Sequence, residues 1–279
     1  MSTALMPAVA TTPVPPTVAA DFFGELRSEW TKIRSVRSTI WALVALVVVT
    51  IAFTALFNLL SVSQWDNVGD VQRQMFLADP TAQILGSGFQ FSQLAICILG
   101  VLIMTGEYSS GTIRATLLAV PRRTPVLVAK CLVFAVLVFV VSGATAFVSF
   151  LVGATILSSR VEVSIGDPGV IQAIVGVGLY AAMLGVFAIA IGALLRHTAG
   201  AITGIIGLVL VLSPLALLLP GDWGRYVYSY LPTNAGQRIT TTVQGPTELL
   251  TAWQGFGIFA AWTALLIVVA GYLLKKRDA

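Results

Sequence analysis

Six long apolar stretches without Asp, Glu, Lys or Arg dominate the 279-residue sequence. They lie at about 40–62, 84–105, 131–157, 170–195, 199–219 and 254–274. Each is long enough for a helix to cross the hydrocarbon core of a bilayer, which takes about 20 residues. Backbone N–H and C=O groups in lipid must be hydrogen-bonded within the protein, and the sequence lacks the alternation of apolar and polar residues that is typical of barrel strands. The pattern therefore predicts an all-α protein with six transmembrane helices.

The composition supports a polytopic membrane protein. Hydrophobic residues make up 57% of the chain and charged residues 10%, and the mean hydropathy is +0.92. An average soluble domain is about 45–50% apolar and about 25% charged. A soluble enzyme is therefore excluded, because one soluble core cannot hold this much apolar surface.

The Lys and Arg residues predict how the chain is oriented. If the amino terminus is cytoplasmic, twelve of the sixteen basic residues face the cytoplasm, and four face outside (Arg73, Arg160, Arg225 and Arg238). This bias follows the positive-inside rule and predicts that both termini are cytoplasmic. The net charge of +4 thus reflects the orientation of the chain in the membrane. We expect no nucleic-acid partner, because no basic face with interleaved aromatic residues lies outside the spans.

Two cytoplasmic segments are predicted to precede the spans, which occupy 39–277. Residues 1–20 are rich in Pro, Thr and Ala and are expected to form a disordered tail. Residues 21–38 predict an amphipathic helix with one apolar stripe, formed by Phe23, Leu26, Trp30 and Ile33. Glu29 and Lys32 are spaced for an ion pair on this helix. It is expected to lie in the membrane interface, either as a simple anchor or as a helix that also touches a cytoplasmic partner.

The loop after the second span also predicts a short helix. Ser109, Ser110 or Thr112 can cap it, and apolar residues then follow on one side (Ile113, Leu117 and Leu118). Glu107 is the only acidic residue between the second and third spans. We expect it to pair with Arg34 or Arg37 at the membrane edge; the alternative is that it caps the amides of the following helix.

Two stretches carry a family resemblance: SEWTKIRSVRSTIW before the first span, and GEYSSGTIRATLLAVPRRTPVLVAK after the second. With four more spans behind them, they resemble the membrane subunit of a bacterial ABC exporter of the type-2 superfamily, in particular its actinobacterial branch. The resemblance extends from Asp21 to Arg277. It implies a multi-pass protein of the bacterial cell membrane that pairs with a second copy or a related permease.

The resemblance also implies which residues couple the chain to an ATP-binding cassette ATPase. The coupling residues would be Glu107, Gly111, Thr112, Ile113, Arg114, Leu117 and Leu118, with Arg196 and His197 as a smaller second contact. The elbow helix beside them would contain Phe23, Leu26, Trp30, Lys32, Ile33, Arg34 and Arg37. Because the sequence has no Gly-x-x-x-x-Gly-Lys-[Ser/Thr] motif, ATP and Mg²⁺ are expected on the partner, and no cofactor or catalytic role is expected in this chain.

The predicted spans contain no ionisable acid or base, which argues against an ion-driven secondary carrier. Mild polar and aromatic residues remain, and the candidates for a substrate path are Gln90, Gln93, Phe89 and Asn58. Such a path suits an amphiphilic or apolar cargo, such as a drug, a peptide or a lipid-like molecule. A non-transporting scaffold or sensor subunit is the main alternative, and a secondary carrier is a weaker one.

Overall fold

The computed structural model describes residues 22–67, 69–112, 123–245 and 248–276. This part of the chain is helical, without strands. Six of its helices are long and apolar enough to cross a membrane: Arg37–Ser63, Pro80–Ser109, Thr124–Leu157, Val170–Leu195, Thr198–Leu217 and Ala252–Leu274. The six predicted spans are therefore confirmed. The third begins about two turns earlier than predicted, because Lys130 lies inside its helix and not at its edge.

Shorter helices complete the fold. Helix α1 (Phe22–Ser35) precedes the first span, and Asp70–Ala78 connects the first two spans. Between the last two spans lie the helices Gly221–Tyr230 and Pro232–Gln237 and a 3₁₀ turn, Arg238–Thr240. The predicted tail at 1–20 lies outside the described residues.

The fourth span forms the centre of the bundle. It packs against the second, third and sixth spans, and 78% of its most apolar window is buried, against 17% for the first span. Small residues permit the close contacts: a Cβ on Gly100 of the second span would lie 2.6 Å from Cβ of Ala188, and one on Gly185 would lie 2.8 Å from the Phe134 ring. The small residues of the fourth span therefore serve packing within the chain, as membrane helices commonly use them.

The fifth span is irregular near its proline. Its helix takes a π register over Gly207–Leu212 and returns to an α register at Ser213–Leu217, with Pro214 in the first turn. A proline ring has no N–H and clashes with the carbonyl four residues before it, so a wider turn just ahead of Pro214 accommodates it. Gly200 and Gly204 of this span are exposed, unlike the glycines of the fourth span.

Asp79 ties together two segments that connect membrane spans. Its carboxylate accepts hydrogen bonds from the backbone N–H groups of Ala82 (2.9 Å), Thr242 (2.7 Å) and Val243 (3.1 Å) and from the Thr242 hydroxyl (2.6 Å). The Asp79 carboxylate is therefore not simply solvated, although it lies in a polar connection between two spans. The side chain caps the second span and also holds the segment that leads to the sixth, because a carboxylate can accept several hydrogen bonds at once.

We expect Asp79→Ala to lower the free energy of unfolding by about 1–2 kcal/mol, because it removes a helix cap and a link between distant segments. Denaturant titration in mixed micelles measures this loss. Asp70→Ala is the matched control, since the Asp70 side chain is 92% exposed. Equal stability of the two variants would contradict the assigned role of Asp79.

Candidate functional site

Four charged side chains form a cluster at one end of the bundle, where the second span ends and the third begins. Nζ of Lys130 lies 2.6 Å from Glu29 and 2.7 Å from Glu107, and Nζ of Lys32 lies 2.6 Å from Glu29 and 3.0 Å from Glu107. We call this set the inner charge cluster, and its end of the bundle the inner end, in keeping with the predicted orientation. The two carboxylates and two ammonium groups alternate, so that the cluster is neutral as a whole.

Three separate elements supply the cluster. Glu29 and Lys32 are one turn apart on α1, Glu107 is in the last turn of the second span, and Lys130 lies in the third span. The predicted pair of Glu29 and Lys32 is confirmed. The predicted partners of Glu107, Arg34 and Arg37, are wrong: both are exposed, and Glu107 pairs with the two lysines.

Lys130 is buried, although a lysine just before an apolar stretch is typical of an interfacial anchor. Its side chain is only 3% exposed, and that of Glu29 only 4%. Charges taken out of water this far are tolerated only when they are paired. For the half-exposed Lys32, burial lowers the pKa, but the hydrogen bond that its ammonium donates to Glu29 and the charge of Glu107 outweigh this effect and raise the pKa.

Helix α1 turns its acidic face toward the protein. Ile33 is buried and Leu26 half-buried, while Phe23 and Trp30, from the same predicted stripe, are exposed. The inward face instead contains Glu25 and Glu29, one turn apart. The apolar stripe and the buried face of α1 are therefore adjacent and do not coincide, and the two aromatic residues are exposed on the outside of the bundle.

Charge contacts, more than apolar packing, connect α1 to the second span. Helix α1 packs mainly against the third span, and Lys32 reaches the second span through its bond to Glu107. Between α1 and the first two spans lies a cavity of about 680 Å³, lined by the cluster and by residues such as Ile33 and Leu102. The inner charge cluster thus links α1 to the second span beside this cavity.

Glu25 is the one acid of this face without such a partner. Its Oε2 atom is buried and has no hydrogen-bond partner among the described residues. Burial, and then the nearby Glu29 carboxylate, raise its pKa above the ordinary value of 4.5.

We expect Glu25→Gln to stabilise the protein at neutral pH, because it removes a penalised charge. The native pKa is raised, so the penalty is complete above that pKa and vanishes as the pH falls below about 4.5. Thermal unfolding of both proteins between pH 4 and 8 measures the difference. Glu162→Gln, at an exposed position, should show no such pH-dependent gain; a gain of the same size there would contradict the explanation.

A second contact at the inner end joins the second span to the turn between the fourth and fifth. The Arg196 guanidinium lies over the Tyr108 ring, 5.2 Å from its centroid. Arg196 ends the fourth span in a left-handed conformation (φ 53°), and Nδ1 of His197 accepts a hydrogen bond from the Gly200 backbone N–H, 3.1 Å away, at the start of the fifth. This tight turn between the fourth and fifth spans lies beside the end of the second span.

The predicted coupling residues are only partly within the described chain. Gly111, with φ +70°, and Thr112 are exposed, and the Ser110 and Thr112 hydroxyl oxygens are 2.9 Å apart. Four predicted coupling residues lie outside the described residues: Ile113, Arg114, Leu117 and Leu118. The described part of the loop thus leaves the bundle next to Glu107 and Tyr108.

The structure divides the four substrate-path candidates into two pairs. Gln93 is buried, and its Oε1 accepts hydrogen bonds from the Tyr180 hydroxyl and the Gln237 amide, both at 3.2 Å. Phe89 is also buried, with its ring edge-on to Tyr180 at 5.7 Å. This pair belongs to the core, where Gln237, on the short helix between the last two spans, reaches the second span.

Asn58 and Gln90 instead line an open groove between the first two spans. The groove has a volume of about 590 Å³. Its wall includes Phe57 and Phe91, whose rings are parallel within 4° at 5.8 Å. The Phe57 ring and the partner role of Gln237 were not found from the sequence, because such contacts depend on which faces the helices turn to one another.

Comparison with protein families gives one match. The model of the ABC-2 family transporter proteins matches residues 25–214, a range that contains most of α1, the inner charge cluster and the first four spans. A comparison with curated proteins gives no significant match. Because the family model covers more than half of the 279 residues, and the described fold has six membrane-spanning helices, the chain belongs to the ABC-2 family of transporter membrane proteins.

Proposed function

We propose that this chain is the membrane subunit of an exporter in the cell membrane, driven by ATP hydrolysis on a separate ATP-binding cassette subunit. The family match over residues 25–214 is the observation that carries the proposal. The sequence lacks the phosphate-binding loop that ATP hydrolysis requires. The energy therefore comes from a partner chain, and this chain supplies the path for an amphiphilic or apolar substrate, together with a second copy or a related permease.

The partner would dock at the inner end. Two connections between spans meet there: the loop that begins at Gly111, and the turn at Arg196 and His197. Twelve of the sixteen basic residues are assigned to the same side by the positive-inside rule. Both termini would then be cytoplasmic, where ATP is available.

The inner charge cluster would transmit the partner's movement. Glu107 lies four residues before Gly111, and its carboxylate is held by Lys32 of α1 and Lys130 of the third span. A displacement of the loop would therefore pull on three elements together, because buried and paired charges cannot separate without a large cost. In this arrangement α1 would act as an elbow helix that moves together with the coupling loop.

Purification of the tagged chain from its native membranes tests the docking proposal. We expect an ATP-binding protein to co-purify, to be identified by its Gly-x-x-x-x-Gly-Lys-[Ser/Thr] peptide in mass spectrometry, and to hydrolyse ATP in nanodiscs. Leu117→Asp should abolish co-purification, because it places a charge on the apolar side of the proposed coupling helix. Ile165→Asp is the matched control, since it makes the same change at an exposed position of the outer end.

Two results would overturn the proposal. One is purification of the intact chain without any ATP-binding protein. The other is equal loss of the partner in the Leu117→Asp and Ile165→Asp variants, which would indicate general misfolding and not a docking surface.

A further inference from the structure

The groove between the first two spans, described above through Asn58 and Gln90, is called here the outer groove. Its lining falls into two kinds of residue. The polar members are amides and hydroxyls: Asn58, Ser61, Gln83, Ser87 and Gln90. The apolar members are mainly phenylalanines: Phe57, Phe76 and Phe91. None of the described residues that line the groove carries a formal charge.

The aromatic side of the groove is ordered by ring contacts. Phe91 stacks against Phe53 at 4.4 Å and against Phe57 at 5.8 Å, with interplanar angles of 17° and 4°. Phe91 is nevertheless 41% exposed, so this side of the groove offers a ring surface. Offset stacking on such a surface favours a planar or aromatic group.

The polar side of the groove offers hydrogen-bonding groups, of which the Ser61 and Ser87 hydroxyls donate to backbone carbonyl oxygens of their own helices. The Asn58 amide donates to the Thr54 carbonyl oxygen (2.7 Å) and lies 3.4 Å from the Ser87 hydroxyl, which fixes its position. Gln83 and Gln90 are exposed. Amides at membrane depth gain little from lipid tails, which offer no hydrogen bonds, and polar groups within spans commonly face a substrate path.

From this lining we infer that the outer groove binds an uncharged amphiphile with a planar or aromatic ring and hydrogen-bonding groups such as amides, carbonyls or hydroxyls. The inference rests on the proposed export function and names the substrate class of its path. The volume of about 590 Å³ lies within the range of small-molecule sites, about 300–1,000 Å³. A charged ligand is disfavoured, because the lining provides no counter-charge to offset its desolvation.

A matched series of photoreactive probes tests the inference on the full chain in nanodiscs, without any ATPase. The probes are 4-benzoylbenzamide, which is neutral, 4-benzoylbenzoate, which is anionic, and (4-benzoylbenzyl)trimethylammonium, which is cationic. We expect the amide to label peptides that contain residues 53–61 and 83–91 at least about tenfold more than either ion, because only the ions must be desolvated without a counter-charge.

Variants of the lining make the result specific. Asn58→Leu with Gln90→Leu should reduce labelling by the amide about tenfold, since the hydrogen-bonding groups are lost. Gln74→Leu, an exposed glutamine on the helix Asp70–Ala78 that does not line the groove, is the matched control and should label as the wild type does. Because Asn58→Leu can disturb folding, Gln90→Leu alone, at an exposed position, is measured alongside and should give an intermediate loss.

Three outcomes would overturn the inference. Equal labelling by all three probes would show that the charge of the ligand does not affect binding at the groove. Labelling that is the same in the Asn58 and Gln90 variants as in the wild type would place the probe elsewhere. Absence of labelling by any probe would show that the groove does not bind a ligand of this class. Because the assay contains no ATPase, its failure is distinct from failure of the chain to associate with an ATP-binding protein.

Discussion

Replacement of Lys130 by methionine is expected to destabilise the protein by about 3–5 kcal/mol, because it leaves two carboxylates in a buried place with only Lys32 between them. The Lys130 side chain is 3% exposed and contacts both Glu29 and Glu107. An unpaired buried charge loses its hydration without a compensating attraction. The free energy of unfolding in mixed micelles and the yield of folded protein measure the effect.

The double variant Glu107→Met with Lys130→Met separates charge from packing. It leaves Glu29 and Lys32 as a balanced pair at 2.6 Å, so we expect most of the lost stability to return. Lys276→Met is the control for removal of a cation, because Lys276 is exposed and lies 5.8 Å from the centroid of the Tyr272 ring; the expected change there is below about 1 kcal/mol. A double variant no more stable than Lys130→Met alone would contradict the charge-balance explanation.

Replacement of Gly100 by leucine is expected to cost at least about 3 kcal/mol or to prevent folding, because overpacking a tight helix contact forces backbones apart. A Cβ at this position would lie 2.6 Å from the Ala188 Cβ and 2.7 Å from the Gly185 carbonyl oxygen. The second atom belongs to the backbone and cannot move aside as a flexible side chain could. The fourth span, at the centre of the bundle, would have to shift.

Gly106→Leu on the same helix is the matched control. A Cβ at Gly106 would meet no atom within 4 Å, so the expected result is unchanged stability or a gain of up to about 1 kcal/mol from higher helix propensity. The midpoints of thermal unfolding of the two variants in the same detergent test this difference in stability. Equal loss in the two variants would mean that leucine at any glycine of this span is harmful, whatever the local packing.

The spans and the family could be predicted from the sequence because both depend on local signals. A run of apolar residues at 170–195 predicts a helix wherever it lies, since lipid leaves the backbone no other way to satisfy its hydrogen bonds. The Glu29–Lys32 pair follows from spacing within one helix. The resemblance to an ABC exporter rests on contiguous stretches, and the family match at 25–214 confirms it at the level of the ABC-2 family.

The partners of Glu107 could not be predicted in this way. By its position in the sequence, its partner Lys130 resembles a lysine that anchors a span at the membrane surface. Arg34 and Arg37 are predicted to lie at the same membrane edge, so they were equally good candidates for the ion pair. Only the rotation of α1 about its axis selects Lys32, and that rotation depends on how α1 packs against the third span. Gln90 and Gln93 show the same limit: they are three residues apart, yet one lines the outer groove and the other is bonded to Tyr180 and Gln237.

By itself, then, the scarcity of charge along the chain determined six membrane helices, their boundaries to within a few residues in most cases, and the class of protein. Tertiary structure alone decided which polar residues meet: Glu29 with Lys130, 101 residues apart, and Asp79 with Thr242, 163 residues apart. The physical reason is that helix formation in lipid is set by each segment's own hydrogen bonds and hydropathy. The pairing of polar groups depends instead on which faces of the packed helices are turned toward one another.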